Sequence, residues 1–169
     1  MLKIIPVQTE EHKSHIKNLF FDYFNETKSI FSQEYNINVD VNTFSEKYIT
    51  QLDEFLPPSG RLLLGKYEEQ IAGCLCLRKI NQDISEIKRM YVKPEFRRKG
   101  IGRALLQTII NEATDIGYSK LRLDTAPYAK EAQALYRVFG FKNIEPYLEK
   151  TEIPLEYRAN WIFMELILK

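Results

Sequence analysis

The chain is 169 residues long, with a formal net charge of +1, 44% hydrophobic residues and 28% charged residues. This size suits one domain with a substantial core. The near-neutral charge gives no argument for nucleic-acid or membrane binding, and neither partner is expected. The two cysteines and two histidines are too few for a disulfide framework or a Cys/His zinc site, and the absence of a leader and of an apolar run of about 18 residues predicts a cytoplasmic protein.

The first third of the chain is predicted to contain one strand and two helices. Residues 2–7 have the pattern of a short strand, and Thr9 is a suitable N-cap for a helix that runs to about Asn25. A second helix is expected over residues 43–55, whereas residues 26–42 show no clear periodicity. A proline pair followed by serine and glycine then ends this helical part.

The remainder of the chain is predicted to contain five strands and two helices. Short polar connections between its first three strands predict antiparallel hairpins, and a helix with apolar residues at three-to-four spacing follows them. Cys74 and Cys76 lie in an apolar strand and are expected to be buried core residues. The predicted strands are 61–67, 70–79, 84–92, 119–125 and 161–168, and the predicted helices are 100–116 and 129–139.

A basic loop with two glycines joins the third of these hairpin strands to the next helix. Arg97, Arg98 and Lys99 precede Gly100 and Gly102. Free N–H groups and the dipole at a helix N-terminus favour an anion, and glycines let a phosphate approach the backbone. The spacing fits neither the dinucleotide fingerprint nor the nucleotide P-loop. It therefore predicts a phosphate site of another kind, with a basic, solvated turn as the alternative.

Three segments of the sequence resemble one known family. Residues 97–102, Arg-x-x-Gly-x-Gly, resemble the pyrophosphate-binding loop of the GNAT superfamily, the acyl-CoA-dependent N-acyltransferases. Residues 87–96 resemble the fourth strand of that family and its exit, and residues 132–141 resemble its last helix and turn. The match covers about residues 84–145 in the right order, whereas residues 1–60 match only in general layout.

This resemblance implies a fold and a cosubstrate. The fold would be one α/β domain over residues 1–169, with a GNAT-like, mixed and mostly antiparallel central sheet of about six to seven strands. Helices would flank this sheet, which would be splayed between its fourth and fifth strands. The cosubstrate would be acetyl-CoA, with no metal, and a homodimer is a possible assembly.

The resemblance also implies where acetyl-CoA would bind. Backbone amides at the helix start would hold its pyrophosphate, helped by the neighbouring cations. The end of strand 84–92 would pair with the pantetheine arm as an added strand does, and an amide of Tyr91 or Val92 would polarise the thioester carbonyl. The implied binding residues are Met90, Tyr91, Val92, Arg97, Arg98, Lys99, Gly100, Ile101, Gly102 and Arg103.

Two side chains are the first candidates for acid–base chemistry. Glu86 stands at a strand position where some family members carry a catalytic glutamate, and it would take a proton from the acceptor ammonium. Asp124, Tyr91 and water are alternative proton acceptors. Tyr136 matches the family's tyrosine on the last helix, which protonates the departing CoA thiolate. Without such roles, Glu86 would be a solvent-facing charge and Tyr136 a core aromatic.

An acidic and aromatic N-terminal segment is the candidate lining of the acceptor pocket. Such a lining suits a cationic amine and favours a small or amino-acid-like acceptor over a protein lysine or N-terminus. Helix packing with solvated acids between the rings is the alternative. The residues concerned are Phe20, Phe21, Tyr23, Phe24, Glu26, Phe31, Glu34 and Tyr35, with Glu145, Tyr147, Glu149 and Glu152 near the expected mouth.

These features together predict an N-acetyltransferase. Transfer would be direct, because neither cysteine lies in the matched catalytic segments to form an acyl-enzyme. A non-catalytic acyl-CoA-binding module of the same fold is the alternative, and it would keep the glycine loop without requiring Glu86 or Tyr136. Nucleic-acid binding by the basic cluster is disfavoured, since Glu86 and Glu95 interrupt it and no aromatic platform accompanies it.

Overall fold

The computed structural model describes residues 1–38, 40–147, 149 and 160–169. Its strands are β1 Leu2–Pro6, β2 Arg61–Tyr67, β3 Gln70–Lys79, β4 Ile84–Val92, β5 Lys120–Thr125, β6 Lys142–Ile144 and β7 Ile162–Ile167. Its helices are α1 Glu10–Tyr35, α2 Val41–Thr50, α3 Ile101–Ile116 and α4 Lys130–Val138, with short 3-10 helices at Leu52–Phe55 and Pro94–Phe96.

The strands of the described residues form one seven-stranded sheet in the order β1-β2-β3-β4-β5-β7-β6. Every neighbouring pair is antiparallel except β4 and β5, which run parallel. Parallel neighbours need a long crossover, and α3 provides it. The predicted α/β fold with a mixed, mostly antiparallel sheet is confirmed.

The sheet opens in its middle, between β4 and β5. Both strands are described over their full length, yet they pair only through residues 84–86 and 120–122. On its other side β4 shifts register opposite Cys74 and Cys76, so it carries an extra residue and bulges at Arg89, where φ is 52°. The predicted splay between the fourth and fifth strands is confirmed, and it leaves a cleft between their C-terminal parts.

The two larger apolar cores of the described residues lie on opposite faces of the sheet, because successive strand side chains point in opposite directions. Leu75 and Leu77 of β3 belong to the core that includes α3. Cys74 and Cys76, at the alternate positions, belong to the core that includes α1 and α2. Among the described residues neither cysteine forms a disulfide, and both side chains are buried, as predicted. Each fully buried leucine-sized side chain contributes about 1.5–3 kcal/mol to this packing.

Glycines mark both ends of α3. Gly100 precedes the helix with φ of 84°, and Gly117 follows it with φ of 111°. The Gly117 N–H donates to the carbonyls of Ala113 and Thr114, at 3.3 and 3.1 Å. Left-handed backbone costs other L-residues roughly 1–2 kcal/mol, which explains why glycine stands at both positions. The predicted end of this helix at residue 116 is confirmed.

Helix α1 extends beyond its predicted end at Asn25. It continues to Tyr35 and stops at Asn36, which is left-handed with φ of 54°. Its second half presents Phe31, whose ring centroid lies 5.6 Å from that of Tyr35 and 6.1 Å from that of Trp161. Because Trp161 lies far away in sequence, local periodicity could not reveal the packing that stabilises this extension.

The second predicted helix and the end of the sheet also differ from expectation. α2 begins at Val41, and the C-terminal part of the predicted helix is the 3-10 turn Leu52–Phe55. β6 was missed, because three residues are too few to show an alternating pattern. None of the helices in the described ranges combines the length and apolar character of a membrane span.

Candidate active site

The loop before α3 presents a row of unused backbone donors. The first helical hydrogen bond runs from the Ala104 N–H to the Gly100 carbonyl at 3.0 Å. Within the described ranges, no backbone or side-chain acceptor meets the amides of residues 98–103. Arg98 and Gly100 are both left-handed, with φ of 66° and 84°. Such a turn gathers successive N–H groups into a concave anion site.

The presence of glycine is explained differently at the two glycine positions of this loop. A Cβ on Gly100 would meet no atom within 4 Å, so only its positive φ demands glycine. A Cβ on Gly102 would lie 3.6 Å from Cδ2 of Leu135, an ordinary contact, and the backbone there is not left-handed. The protein itself therefore has room for a side chain at Gly102, and the glycine there leaves the helix start open to the approach of a ligand.

The cations around the loop fall into two groups. The Arg97 side chain folds back, with Nε donating to the Val92 carbonyl at 2.8 Å and Nη2 donating to both carboxylate oxygens of Glu26 at 3.0 and 2.9 Å. Arg97 thus ties the loop to α1. Arg98, Lys99 and Arg103 are exposed, and the Arg98 side chain is 82% accessible. These three remain available to meet a phosphate from solvent.

The end of β4 offers main-chain groups to the cleft. Tyr91 pairs with Cys74 and Val92 with Gly73 on the β3 side, whereas Met90 falls in the bulge between paired positions. Because β5 has diverged at this point, no strand among the described residues neighbours the other edge of β4. An extended ligand arm can pair with such an edge. The loop 97–103 and this edge lie next to each other along the chain.

Glu86 lies at the floor of the same cleft and is 0% exposed. Arg78 Nε donates to its Oε1 at 3.0 Å, and the Tyr147 hydroxyl donates to its Oε2 at 2.6 Å. Burial raises the pKa of the Glu86 carboxyl, against the lowering effects of Lys88, Arg78 and Tyr147. Glu86 is therefore not the solvent-facing charge that was its alternative interpretation. It is a buried carboxylate with a partner on each oxygen.

A salt bridge spans the splay above Glu86. Lys88 Nζ lies 2.8 Å from Oδ2 of Asp124 and 3.9 Å from Oε1 of Glu86. The side chains of Lys88 and Asp124 are 8% and 11% exposed. Asp124 is one of the alternative bases predicted from the sequence, whereas Lys88 was not predicted as a site residue. The signal was present, since Lys88 follows Glu86 by two positions and therefore shares its face of β4.

Tyr136 of α4 is buried, with its ring centroid 5.8 Å from that of Phe141. Burial raises the pKa of its hydroxyl, and Tyr23 and Asp124 raise it further. The phenol is therefore protonated at neutral pH, as a proton donor must be. Burial likewise raises the pKa of Tyr91 to about 12, with Glu26 and Asp22 adding to the effect. Tyr91 is thus protonated too, which makes it a poor proton acceptor.

The predicted acidic and aromatic lining divides into two parts. Phe20 and Phe24 are core residues, and their rings surround the guanidinium of Arg89 at 5.5 and 6.0 Å. Tyr23 instead lies 5.9 Å from the Tyr91 ring, centroid to centroid, in an edge-to-face arrangement. Helix packing therefore explains the first two rings, and only part of the segment borders the cleft.

A half-buried aromatic surface continues the lining. Trp161 lies between Phe31 and Tyr128, with ring centroids 6.1 and 6.4 Å away. Next to Tyr91 a surface pocket of about 560 Å³ is lined by Asp22, Asn25, Glu26, Tyr91, Lys93, Pro94 and Glu95. Glu152, which was expected near the mouth, lies outside the described residues.

The described residues contain no cluster of three or more His, Cys, Asp or Glu side chains suited to a metal ion.

Comparisons with known proteins agree with this geometry. Residues 17–141 match the Acetyltransferase (GNAT) family. An uncharacterized N-acetyltransferase of Schizosaccharomyces pombe is 32% identical over 119 residues, which cover 69% of this chain and 73% of that protein. An uncharacterized N-acetyltransferase of Bacillus subtilis is 37% identical over 98 residues, which cover 57% of this chain and 62% of that protein.

Solved structures show the same fold. A GNAT-family acetyltransferase from Staphylococcus aureus superposes with a TM-score of 0.75 at 23% identity, over 100% of both chains. The PaiA N-acetyltransferase from Thermoplasma acidophilum, solved in complex with coenzyme A, superposes with a TM-score of 0.71 at 18% identity, over 99% of both chains.

Proposed function

Because the chain belongs to the acetyltransferase (GNAT) family, we propose that it transfers an acetyl group from acetyl-CoA directly to the primary amine of a small acceptor. One observation carries the proposal. The unused amides of residues 98–103 stand beside the open edge of β4, so a phosphate site and an extended-arm site adjoin each other. Acetyl-CoA has that layout, with a pyrophosphate followed by a long pantetheine arm.

We call residues 90–92 and 98–103, which would bind the acetyl donor, the donor half of the site. This half suits acetyl-CoA in charge and in shape. Amides 98–103 would hold the pyrophosphate, with Arg98, Lys99 and Arg103 supplying positive charge at the surface. The backbone of residues 90–92 would pair with the pantetheine arm, and an amide near the Arg89 bulge would polarise the thioester carbonyl. Ile101 is buried at the start of α3 and holds the helix against the sheet core.

Tyr136 is the proposed proton donor to the departing sulfur. Its hydroxyl is protonated at neutral pH and lies within the electrostatic influence of Asp124, across the cleft from β4. Glu86, the base predicted from the sequence, is fully covered, and Tyr147 occupies its Oε2. To act as a direct base, Glu86 would need Tyr147 to leave. We therefore propose that Glu86 acts mainly by holding Arg78, Lys88 and Tyr147 around the acceptor half.

The acceptor half favours a cationic amine. Tyr23, Tyr128 and Trp161 offer aromatic faces, which attract an ammonium group. Glu26 lies near Tyr91 and Tyr128, and Asp124 lies near Tyr136. Arg97 and Lys88 pair with these two carboxylates. A small or amino-acid-like amine fits this lining, and direct transfer fits the position of the cysteines, since both are buried in the core beneath α1 and α2.

Two measurements test the function. Calorimetry should detect binding of acetyl-CoA, and no binding at millimolar concentration would contradict the proposal. A panel of polyamines, amino acids and simple alkylamines is then screened for release of the CoA thiol. Binding without thiol release from any amine would instead favour the non-catalytic acyl-CoA-binding module.

The variant Tyr136→Phe tests the proton donor. With the best amine of the panel, we expect kcat to fall by about 10²-fold or more, the usual contribution of a positioned acid, while affinity for acetyl-CoA changes little. Tyr118→Phe is the matched control, because Tyr118 is also a buried tyrosine of the same core but donates to the Ser59 carbonyl at 2.8 Å, away from the cleft. Full turnover in Tyr136→Phe would show that another group protonates the sulfur.

A further inference from the structure

The Arg97 side chain links the donor half of the site to α1. Its Nε donates to the Val92 carbonyl at 2.8 Å, and its Nη2 donates to both carboxylate oxygens of Glu26, at 3.0 and 2.9 Å. The side chains of Arg97 and Glu26 are 38% and 39% exposed. Because an ion pair with this much access to solvent is weak, a charged ligand can displace either partner.

The Val92 carbonyl belongs to the open edge of β4. At the edge that faces β3, the Lys93 N–H donates to a β3 carbonyl at 2.8 Å, and the Tyr91 carbonyl leaves no room for a Cβ on Gly73 of β3. Main-chain groups of successive strand residues face opposite edges, so those of Val92 face the cleft. Arg97 therefore binds a carbonyl that a paired pantetheine arm would use.

Glu26 stands near aromatic groups of the acceptor half. It lines the surface pocket of about 560 Å³ next to Tyr91. Burial raises the pKa of the Tyr91 and Tyr128 hydroxyls, and the charge of Glu26 adds to both shifts. The Arg97 guanidinium, bound to Glu26, thus occupies a place beside these rings that suits the cation of a substrate.

We propose that acetyl-CoA releases Arg97 from Glu26, and that the freed Glu26 carboxylate binds a cationic group of the acceptor. This proposal rests on the proposed acetyl transfer. The pyrophosphate attracts the guanidinium, because Arg97 immediately precedes the amides of residues 98–103. The pantetheine arm takes over the Val92 carbonyl. Both changes withdraw Arg97 from α1, and the acceptor then replaces one cation on Glu26 with another.

The acceptor implied by this exchange carries two cationic groups. The amine that is acetylated must lose a proton before it attacks, and a carboxylate bound to it would hold that proton in place. The cation on Glu26 is therefore a second group of the same molecule, which is not acetylated. An aliphatic diamine is the simplest acceptor of this class, and Glu26 selects it over a monoamine.

Release of Glu26 makes the two binding events favour each other. Acetyl-CoA raises the affinity for the acceptor, and the acceptor must raise the affinity for acetyl-CoA by the same factor. The ion pair between Arg97 and Glu26 has to break when acetyl-CoA binds, so Glu26→Gln removes that cost. A purely structural pair predicts the opposite, since its loss would loosen the loop and weaken acetyl-CoA binding.

The test measures amine binding by calorimetry, with and without saturating coenzyme A, which has the pyrophosphate and the pantetheine arm but no acetyl group to transfer. Diamines from ethylenediamine to cadaverine are each compared with the monoamine of the same length. In the wild type, coenzyme A should raise the affinity for the best diamine about fivefold or more and change that for its monoamine little. Glu26→Gln should lose this gain, yet bind coenzyme A at least as tightly as the wild type.

Glu11→Gln is the matched control, because it removes an exposed carboxylate near the other end of α1 and should keep the full gain. Weaker coenzyme A binding by Glu26→Gln would show that the ion pair holds the loop, and would overturn the proposal. No gain in the wild type, an equal gain in Glu26→Gln, or an equal gain for the monoamine would overturn it too. A wild type that shows the gain but acetylates no amine would overturn acetyl transfer and leave the exchange at Glu26 standing.

Discussion

The proposed donor half and the proposed acceptor half of the cleft are built in different ways. The donor half consists of main chain, with the amides of residues 98–103 and the edge of β4 next to each other in sequence. The acceptor half consists of side chains from separate elements, among them Glu86, Lys88, Asp124 and Tyr147. Every residue but proline has an amide, so the donor half should tolerate changes of side chain. The acceptor half is buried and interlocked, so it should tolerate few.

The largest effect is expected from Glu86→Ala. Removal of the carboxylate leaves Arg78 and Lys88 facing each other without the charge between them. Breaking a buried ion pair by removing one partner typically costs about 3–5 kcal/mol of unfolding free energy. Chemical denaturation with a linear extrapolation measures it.

Glu131→Ala is the matched control for Glu86→Ala. Glu131 is exposed, and its Oε1 lies 3.8 Å from Arg98 Nη1. An exposed ion pair of this kind contributes little to the free energy of unfolding. If Glu86→Ala unfolds at the same denaturant midpoint as the wild type, the side chains of the acceptor half do not depend on one another. The contrast between the two halves would then be lost.

An intermediate effect is expected at the glycines of the donor half. Gly100→Ala must place a side chain at φ of 84°, at a cost of roughly 1–2 kcal/mol, so both stability and acetyl-CoA affinity should fall, affinity by about tenfold. Gly102→Ala has room within the protein, so its thermal midpoint should match that of the wild type while acetyl-CoA affinity falls. Unchanged affinity in Gly102→Ala would mean that no ligand approaches the helix start there.

The smallest effect is expected from removing one exposed cation. Arg98→Ala should weaken acetyl-CoA binding only a few-fold, since the side chain is 82% accessible and solvent screens its charge. The difference from wild type should shrink further as salt is added. Calorimetric titrations at low and high ionic strength measure it, and a loss of all binding would show that the side chain, rather than the amides, holds the phosphate.

The contrast between the halves also explains what could be predicted from the sequence. Strands β2, β3 and β4, helix α3 and the loop before it have local signals, namely alternation, three-to-four spacing and glycines at the turns. The predicted ends of β2, β3 and β4 agree with the structure. The proposed donor half lies within this stretch, and therefore neighbouring local motifs, taken together, were enough to indicate it.

The acceptor half could not be predicted to the same extent, because its contacts join distant parts of the chain. Tyr147 covers Glu86, and Lys88 meets Asp124 across the splay. Both contacts depend on tertiary packing that no local spacing encodes. The extension of α1 to Tyr35 has the same cause, since Trp161 provides its packing partner through Phe31.

Hydrogen exchange of the backbone amides, with and without acetyl-CoA, tests the central claim most directly. The amides of residues 98–103 lack acceptors within the described chain, so they should exchange fast in the free protein. Acetyl-CoA should slow their exchange, together with that of amides in residues 90–92, because its pyrophosphate and pantetheine arm would accept their hydrogen bonds. Binding that protects other amides and leaves residues 98–103 in fast exchange would contradict a donor half built from main chain.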